Sequence, residues 1–242
     1  MAAGLGFKTF TTGEVLSAGD TNGYLMQGVL VFASAAARDA AITSPQEGQF
    51  AYLKDTDATT YYSGSAWTTS GSSGLTKVTS STFSAVSSVS LPNSTFSSTY
   101  TNYKVIFIIS TSSASPAITG RYRASGTDNT ASTYYNAVNV NRVDGSAATQ
   151  NNVNAGTAYN LGYVSTNTVG LYGITLDFLS PQAAAKKQIT GGGFGWNATV
   201  SDAFASYQIG GFFNNTTQFD AFSFISSTGT ITGSYAVYGY QS

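Results

Sequence analysis

The chain contains no histidine and no cysteine. Without a thiol there is no disulfide framework, no thiolate metal site and no cysteine nucleophile. Without an imidazole there is no Ser–His relay and no His-built zinc centre. Charge is almost as scarce: 10 basic and 11 acidic side chains in 242 residues, or 9%, against roughly 25% in an average soluble protein. The formal net charge is −1, and the densest basic stretches are the pairs Arg121/Arg123 and Lys186/Lys187. Nucleic-acid binders concentrate Lys and Arg on one face, so no nucleic-acid partner is expected. Long apolar runs are missing as well. The longest, Val105-Ile106-Phe107-Ile108-Ile109, falls far short of the ~20 residues that span a bilayer, so no membrane insertion is expected. The opening MAAGLGFKTFTTGEVL lacks the basic and apolar regions of a secretory signal, and none is expected to act. The glycosylation-type tripeptides at Asn93, Asn197, Asn214 and Asn215 then read as chance in an Asn/Thr-rich chain.

What fills the gap is Ser, Thr, Tyr, Phe and Val, a mixture suited to a pleated, half-buried surface. At 42% hydrophobic the chain can still build a sizeable core. Four stretches differ in character. Residues 1–34 are Gly-punctuated and aliphatic, with a short helix expected around Asp20 to Val31, where Asp20 can cap and Tyr24, Leu25, Gly28 and Val31 fall at helical spacing. Phe7, Phe10, Val15 and Leu16 precede it in an extended stretch, and together with Tyr24 and Leu25 they are the expected anchoring residues, because so short a segment cannot bury them alone. Residues 35–70 read as a helix-plus-hairpin module: Ala35 to Ile42 as one or two helical turns, Gln49 to Lys54 as a strand, Asp55-Thr56-Asp57 as a turn and Thr60 to Tyr62 as the return strand. Residues 71–82, with the Ser/Gly-rich run that leads into them, read as a flexible hinge and lead-in.

The last stretch, 83–242, is the main domain. Strand candidates recur every 8–15 residues or so, from Phe83–Leu91 and Tyr103–Ile109 to Phe219–Ile225 and Ile231–Tyr240, and no strong helix interrupts them. Ile174, Leu176 and Phe178 alternate with Thr175 and Asp177, as a one-sided strand requires, whereas Val105 to Ile109 do not alternate and read as a central strand covered on both faces. The expected fold class is all-β, a C-terminal antiparallel sandwich of jelly-roll type behind a small helix-plus-hairpin attachment region.

Paired carboxylates could still support glycoside hydrolysis. The only Glu residues, Glu14 and Glu47, lie outside the main domain, and its Asp128, Asp144, Asp177, Asp202 and Asp220 show turn or strand contexts with no pair marked out. Asp55/Asp57 and Asp128/Asn129 supply hard oxygens but match no EF-hand loop, so turns account for them and no metal or cofactor is expected. Gly191-Gly192-Gly193-Phe194-Gly195-Trp196 lacks the Lys-Ser/Thr of a phosphate cradle and reads as a bulge or wide turn. The remaining lead is aromatic. Tyr134, Tyr135 and Trp196 border polar or Gly-rich stretches and are candidate surface-binding residues, the competing reading being that their rings fill the core.

Phe10 to Ala18, followed by Asn22-Gly23-Tyr24-Leu25-Met26-Gln27, resembles the N-terminal segment of bacteriophage tail-fibre and minor virion structural proteins. The stretch from Ala36-Ala37-Arg38-Asp39-Ala40-Ala41-Ile42 through Tyr52-Leu53-Lys54-Asp55 to Tyr62-Ser63-Gly64-Ser65-Ala66-Trp67 resembles the hairpin module found behind it there, and Gly233 to Tyr240 resembles the closing strand of their β-sandwich ends. The resemblance implies a non-enzymatic virion protein made in the host cytoplasm. It also implies attachment through the N-terminus to other virion proteins, assembly as a homotrimer, and a sandwich facing a host-surface glycan or protein. Tail-fibre or adhesin and capsid-decoration or head-fibre roles both remain open, on tail or capsid surface.

Overall fold

The computed structural model describes residues 10–21, 28–71, 74–145, 148–165, 172–197 and 203–240, apart from the side chains of Trp196, Asn197 and Ala203. The chain divides into two compact units, Met1–Ser72 and Ser73–Ser242.

In the first unit, Ser17 starts the single-turn helix α1 (Ala18–Asp20). The Ser17 hydroxyl accepts from the Asp20 backbone N–H at 3.0 Å while the Asp20 carboxylate accepts from the Ser17 N–H at 3.1 Å, a reciprocal capping box. Asp20 therefore closes the first turn instead of starting a helix. The far end of the expected helix is strand: Leu30-Val31-Phe32 form β1 (Leu30–Phe32), as suits β-branched and aromatic residues placed after Gly28. Residues 22–27, with Tyr24 and Leu25, lie outside the described residues. β1 pairs in parallel with β2 (Phe50–Leu53), which demands a crossover, and α2 (Ala35–Ala41) supplies it, capped by Ser34 whose hydroxyl accepts from the Ala37 N–H. Antiparallel β3 (Ala58–Tyr62) and β4 (Trp67–Thr69) complete a four-stranded sheet. The boundary expected at residue 34 thus cuts through a β–α–β unit.

This unit has little core. Among its described residues the buried apolar side chains are Ala51 and Leu53, joined by Arg38, whose guanidinium lies 4.4 Å from the centre of the Trp67 ring and pairs with Asp39 at 2.8 Å. Val15 (86% exposed), Leu16, Val29, Val31 and Phe50 all face outward.

The second unit begins with β5 (Leu75–Val86), so the expected hinge is a strand over most of its length. Its Ser and Thr residues are polar enough to suggest flexibility, yet they suit an edge strand, and β5 pairs along β17 (Ile231–Tyr240) from Leu75 to Val86. Next come β6 (Ser88–Ser90), β7 (Asn102–Ser112), β8 (Ala117–Ala124) and the short β9 (Thr127–Asp128). They are followed by β10 (Tyr134–Arg142), β11 (Thr149–Gly156), β12 (Tyr159–Tyr163) and β13 (Tyr172–Leu179). The last before β17 are β14 (Lys187–Asn197), β15 (Ala203–Phe213) and β16 (Ala221–Ser226). One sheet runs β11-β10-β15-β14-β13-β7-β17-β5, the other β12-β8-β16-β6 with β9 on the edge of β8. Within these, β5-β17-β7-β13 and β6-β16-β8-β12 are the two four-stranded sheets of a jelly roll. Two insertions, β10–β11 and β14–β15, meet beside β13 and lengthen the first sheet by four strands.

The sheets close on a core rich in aromatic rings. Tyr122 is its hub, touching Phe178, Phe213, Phe219 and Phe222 among others, with the Phe219 ring stacked at 4.8 Å. Two expectations change here. The Gly191–Gly195 run is no turn but lies within β14, in unbroken register with β13 and β15. A Cβ at Gly191 or Gly193 would fall 2.0 Å from the carbonyl oxygen of Thr175 or Gly173 across the ladder, so only glycine fits. Val105 to Ile109 do sit centrally, between β13 and β17, but only Val105, Phe107 and Ile109 are buried; Ile106 is half-buried and Ile108 exposed on the open outer face of the large sheet.

Candidate functional site

The four added strands have an inner face that joins the core and an outer face that stays open, and alternation decides which residue goes where. On β10, Tyr134 points inward and is fully buried: its hydroxyl donates to the Asn129 carbonyl at 2.9 Å and accepts from the Tyr122 N–H at 3.1 Å. Consecutive residues of a strand cannot face the same way, so of the two tyrosines only Tyr135 reaches the surface, and Tyr134 is a core residue, not a binding residue. Trp196 lies in β14 opposite Phe204 of β15; its side chain lies outside the described residues. Of the expected anchoring residues, Val15 and Leu16 are exposed and Phe10 is half-buried, while Phe7, Tyr24 and Leu25 lie outside the described residues.

Register builds three parallel rows across the outer face. The first runs Leu179–Gln188–Phe212–Tyr135. Phe212, 40% exposed, and Tyr135 lie parallel with ring centres 4.8 Å apart, each holding the other in place. The second row is Thr190–Gly210–Ala137–Asn152, small in its middle; a Cβ added at Gly210 would meet nothing within 4 Å. The third is Gly192–Gln208–Asn139–Gln150, with its three amides exposed. The aromatic row and the row of small side chains line an open trough of ≈710 Å³, within the ~300–1,000 Å³ usual for ligand sites, and the amide row stands beyond the small one. Rows two positions apart on a strand stand about 6.6 Å from each other, and four strands span about 14 Å.

No residue of these rows is charged. The floor row continues into Asp177, opposite Thr190, and then Lys104, which pairs with it at 2.8 Å and closes that end with a neutralised pair. Tyr240 donates its hydroxyl to the same carboxylate, and burial, followed by this bond to the anion, holds the phenol above its ordinary value. Of the other acids considered for catalysis or calcium, Asp128 pairs with Arg123 and accepts from the Ser223 hydroxyl, both at 2.7 Å, Asp57 accepts from the Tyr52 hydroxyl, and one oxygen of Asp220 accepts from the Ser125 N–H, while Asp202 lies outside the described residues. Of the basic pair Lys186/Lys187, Lys187 is buried, donating to the carbonyls of Ala183 and Ala185, and burial holds its ammonium below the usual lysine value. Among the described residues no group of three or more carboxylates comes together to hold a metal ion, and no helix is long and apolar enough to cross a membrane.

The residues that sequence reasoning missed are Phe212, Gln188, Gln208, Asn139 and Gly210. Their only signal was an i, i+2 spacing, Gln208/Gly210/Phe212 on one strand and Tyr135/Ala137/Asn139 on another, which becomes a site once the strands are placed side by side. No family model, curated protein or solved structure matches the chain.

Proposed function

We propose that this chain is a non-enzymatic structural and attachment protein of a bacteriophage particle, a tail fibre or adhesin fixed to other virion proteins through its first unit and displaying the jelly roll outward. The observation that carries this reading is where each unit keeps its apolar side chains. The second has a complete core. The first, with Ala51 and Leu53 as the buried apolar side chains among its described residues, turns Val15, Leu16, Val31 and Phe50 out. A unit with so little buried surface gains its stability from a neighbour, as small domains do through oligomerisation, which fits anchorage and self-association as a homotrimer. The resemblance of residues 10–27 and 36–67 to tail-fibre segments supports the same division of labour. The trough supports display, since insertions that build an open, decorated face on a framework fold are where binding resides.

The test is incorporation. Particles assembled with the full chain should carry it. Those assembled with residues 74–242 alone should not, while that fragment remains folded by circular dichroism. Retained incorporation of the fragment would sink the anchoring role. Gold-labelled antibody against the sandwich then separates an adhesin, with label at the tail, from a capsid decoration, with label over the head.

A further inference from the structure

We propose that the trough on β14, β15, β10 and β11 binds an uncharged polysaccharide, lying across the strands and several sugar units long. The proposal rests on the reading of the sandwich as a displayed attachment module and names the ligand of that module. A sugar chain presents apolar C–H faces and a fringe of hydroxyls that both donate and accept. The trough answers each. The Phe212–Tyr135 wall, locked by its own stacking at 4.8 Å, offers apolar contact area at low entropic cost. The row beyond the floor, Gln208, Asn139 and Gln150, is exposed, and each amide presents two donors and a carbonyl acceptor in one plane. Gly210 and Ala137 keep the floor low beside the aromatic wall.

Charge decides against the competing ligands. An acidic glycan, a phosphate or nucleic acid calls for Arg or Lys at the contact, and the rows have none; the one cation in line with the floor, Lys104, is already paired with Asp177. An extended peptide added to a sheet uses the backbone groups of an edge, whereas the trough crosses β15 and β10 inside the sheet, whose backbone groups are already paired on both sides.

The experiment presents the full chain to immobilised neutral oligosaccharides and to their uronate-bearing counterparts. At least one neutral series should bind, more tightly as the oligomer lengthens. Its affinity should change less than about twofold between roughly 0.05 and 0.5 M salt, because no ion pair is involved. Gly210→Leu, which fills the floor, and Tyr135→Ala, which halves the aromatic wall, should each weaken binding at least tenfold; Gln208→Ala, wholly on the surface, gives a second reading should either alter the fold. Binding restricted to acidic glycans, or neutral binding untouched by all three substitutions, overturns the proposal. A full chain that attaches to host cells without competition by neutral oligosaccharides overturns it while leaving the attachment role intact. A chain that neither attaches to cells nor enters particles overturns that role itself.

Discussion

Raising the pH above about 10 should unfold the sandwich in one steep, cooperative step, while between about pH 6 and 9 its stability should barely move. The flat region follows from the absence of histidine, the one side chain that ordinarily titrates there. The steep region follows from buried phenols. Burial pushes Tyr122, Tyr134, Tyr159 and Tyr172 far above the usual tyrosine value and Tyr207 up to about 12. Above pH 10 the unfolded chain loses those protons while the folded chain keeps them. The folded state then binds more protons, and stability falls as pH rises. These phenols therefore contribute their full stability below about pH 10 and lose it through pH 12 and beyond. At pH 11 each costs on the order of 1 kcal/mol, so together they remove several kcal/mol, a large part of the roughly 5–15 kcal/mol of an ordinary domain. Far-UV circular dichroism and tyrosinate absorbance followed together check it. The part of the absorbance due to the five buried rings, of 16 tyrosines in the chain, should appear only in the narrow interval in which the circular dichroism collapses. Tyrosinate formed by all 16 with the circular dichroism unchanged would show that these rings are reached by solvent in the folded state.

The same rings show how far the sequence could be read. Strand alternation was legible where it was clean: Ile174, Leu176 and Phe178 are buried and Thr175 is not. An all-β sandwich of jelly-roll type follows from such segments and from the turn residues between them. Alternation also carried the answer for Tyr134 and Tyr135, since neighbours on a strand face opposite ways, but which of them faces the core depends on the partner sheet. The edge strands were the hardest to see. β11 is Thr-Gln-Asn-Asn-Val-Asn-Ala-Gly, a composition that disfavours strand, and it is held by pairing to β10 alone. The trough was illegible for a related reason. Its rows join residues from two strand pairs that lie apart in the chain, β10–β11 and β14–β15, and its floor depends on the smallness of Gly210 and Ala137. Register, unlike period, is a tertiary property, and a missing side chain leaves no mark on a hydrophobic pattern.

Glycine supplies the second large effect, because one chemical change should have opposite signs at two positions of the same sheet. Gly→Ala within a strand ordinarily stabilises by about 0.5–1 kcal/mol, since the folded chain gains a side chain and the unfolded chain loses freedom. Gly210 meets that condition: a Cβ there touches nothing, so Gly210→Ala should be neutral or gain up to about 0.5 kcal/mol. Gly193 is the reverse case. Its Cβ would lie 2.0 Å from the Gly173 carbonyl oxygen and 2.7 Å from a methyl of Ile174. The Gly173 oxygen and the Ile174 Cα, 2.8 Å away, belong to the backbone of β13, so no rotamer change relieves the clash and the ladder itself must shift. Overpacking of that kind costs about 3 kcal/mol, at the upper end of its usual range. β13 joins the added strands to the jelly-roll framework, so the shift falls on the seam that holds the trough to the rest of the unit. Urea unfolding of both variants beside the parent reads the difference directly. The midpoint for Gly193→Ala should drop sharply with an unchanged slope, and that for Gly210→Ala should hold or rise. Equal midpoints would mean that β13 and β14 lie further apart than this register places them. The close approach of their backbones would then not be the reason for the glycine run.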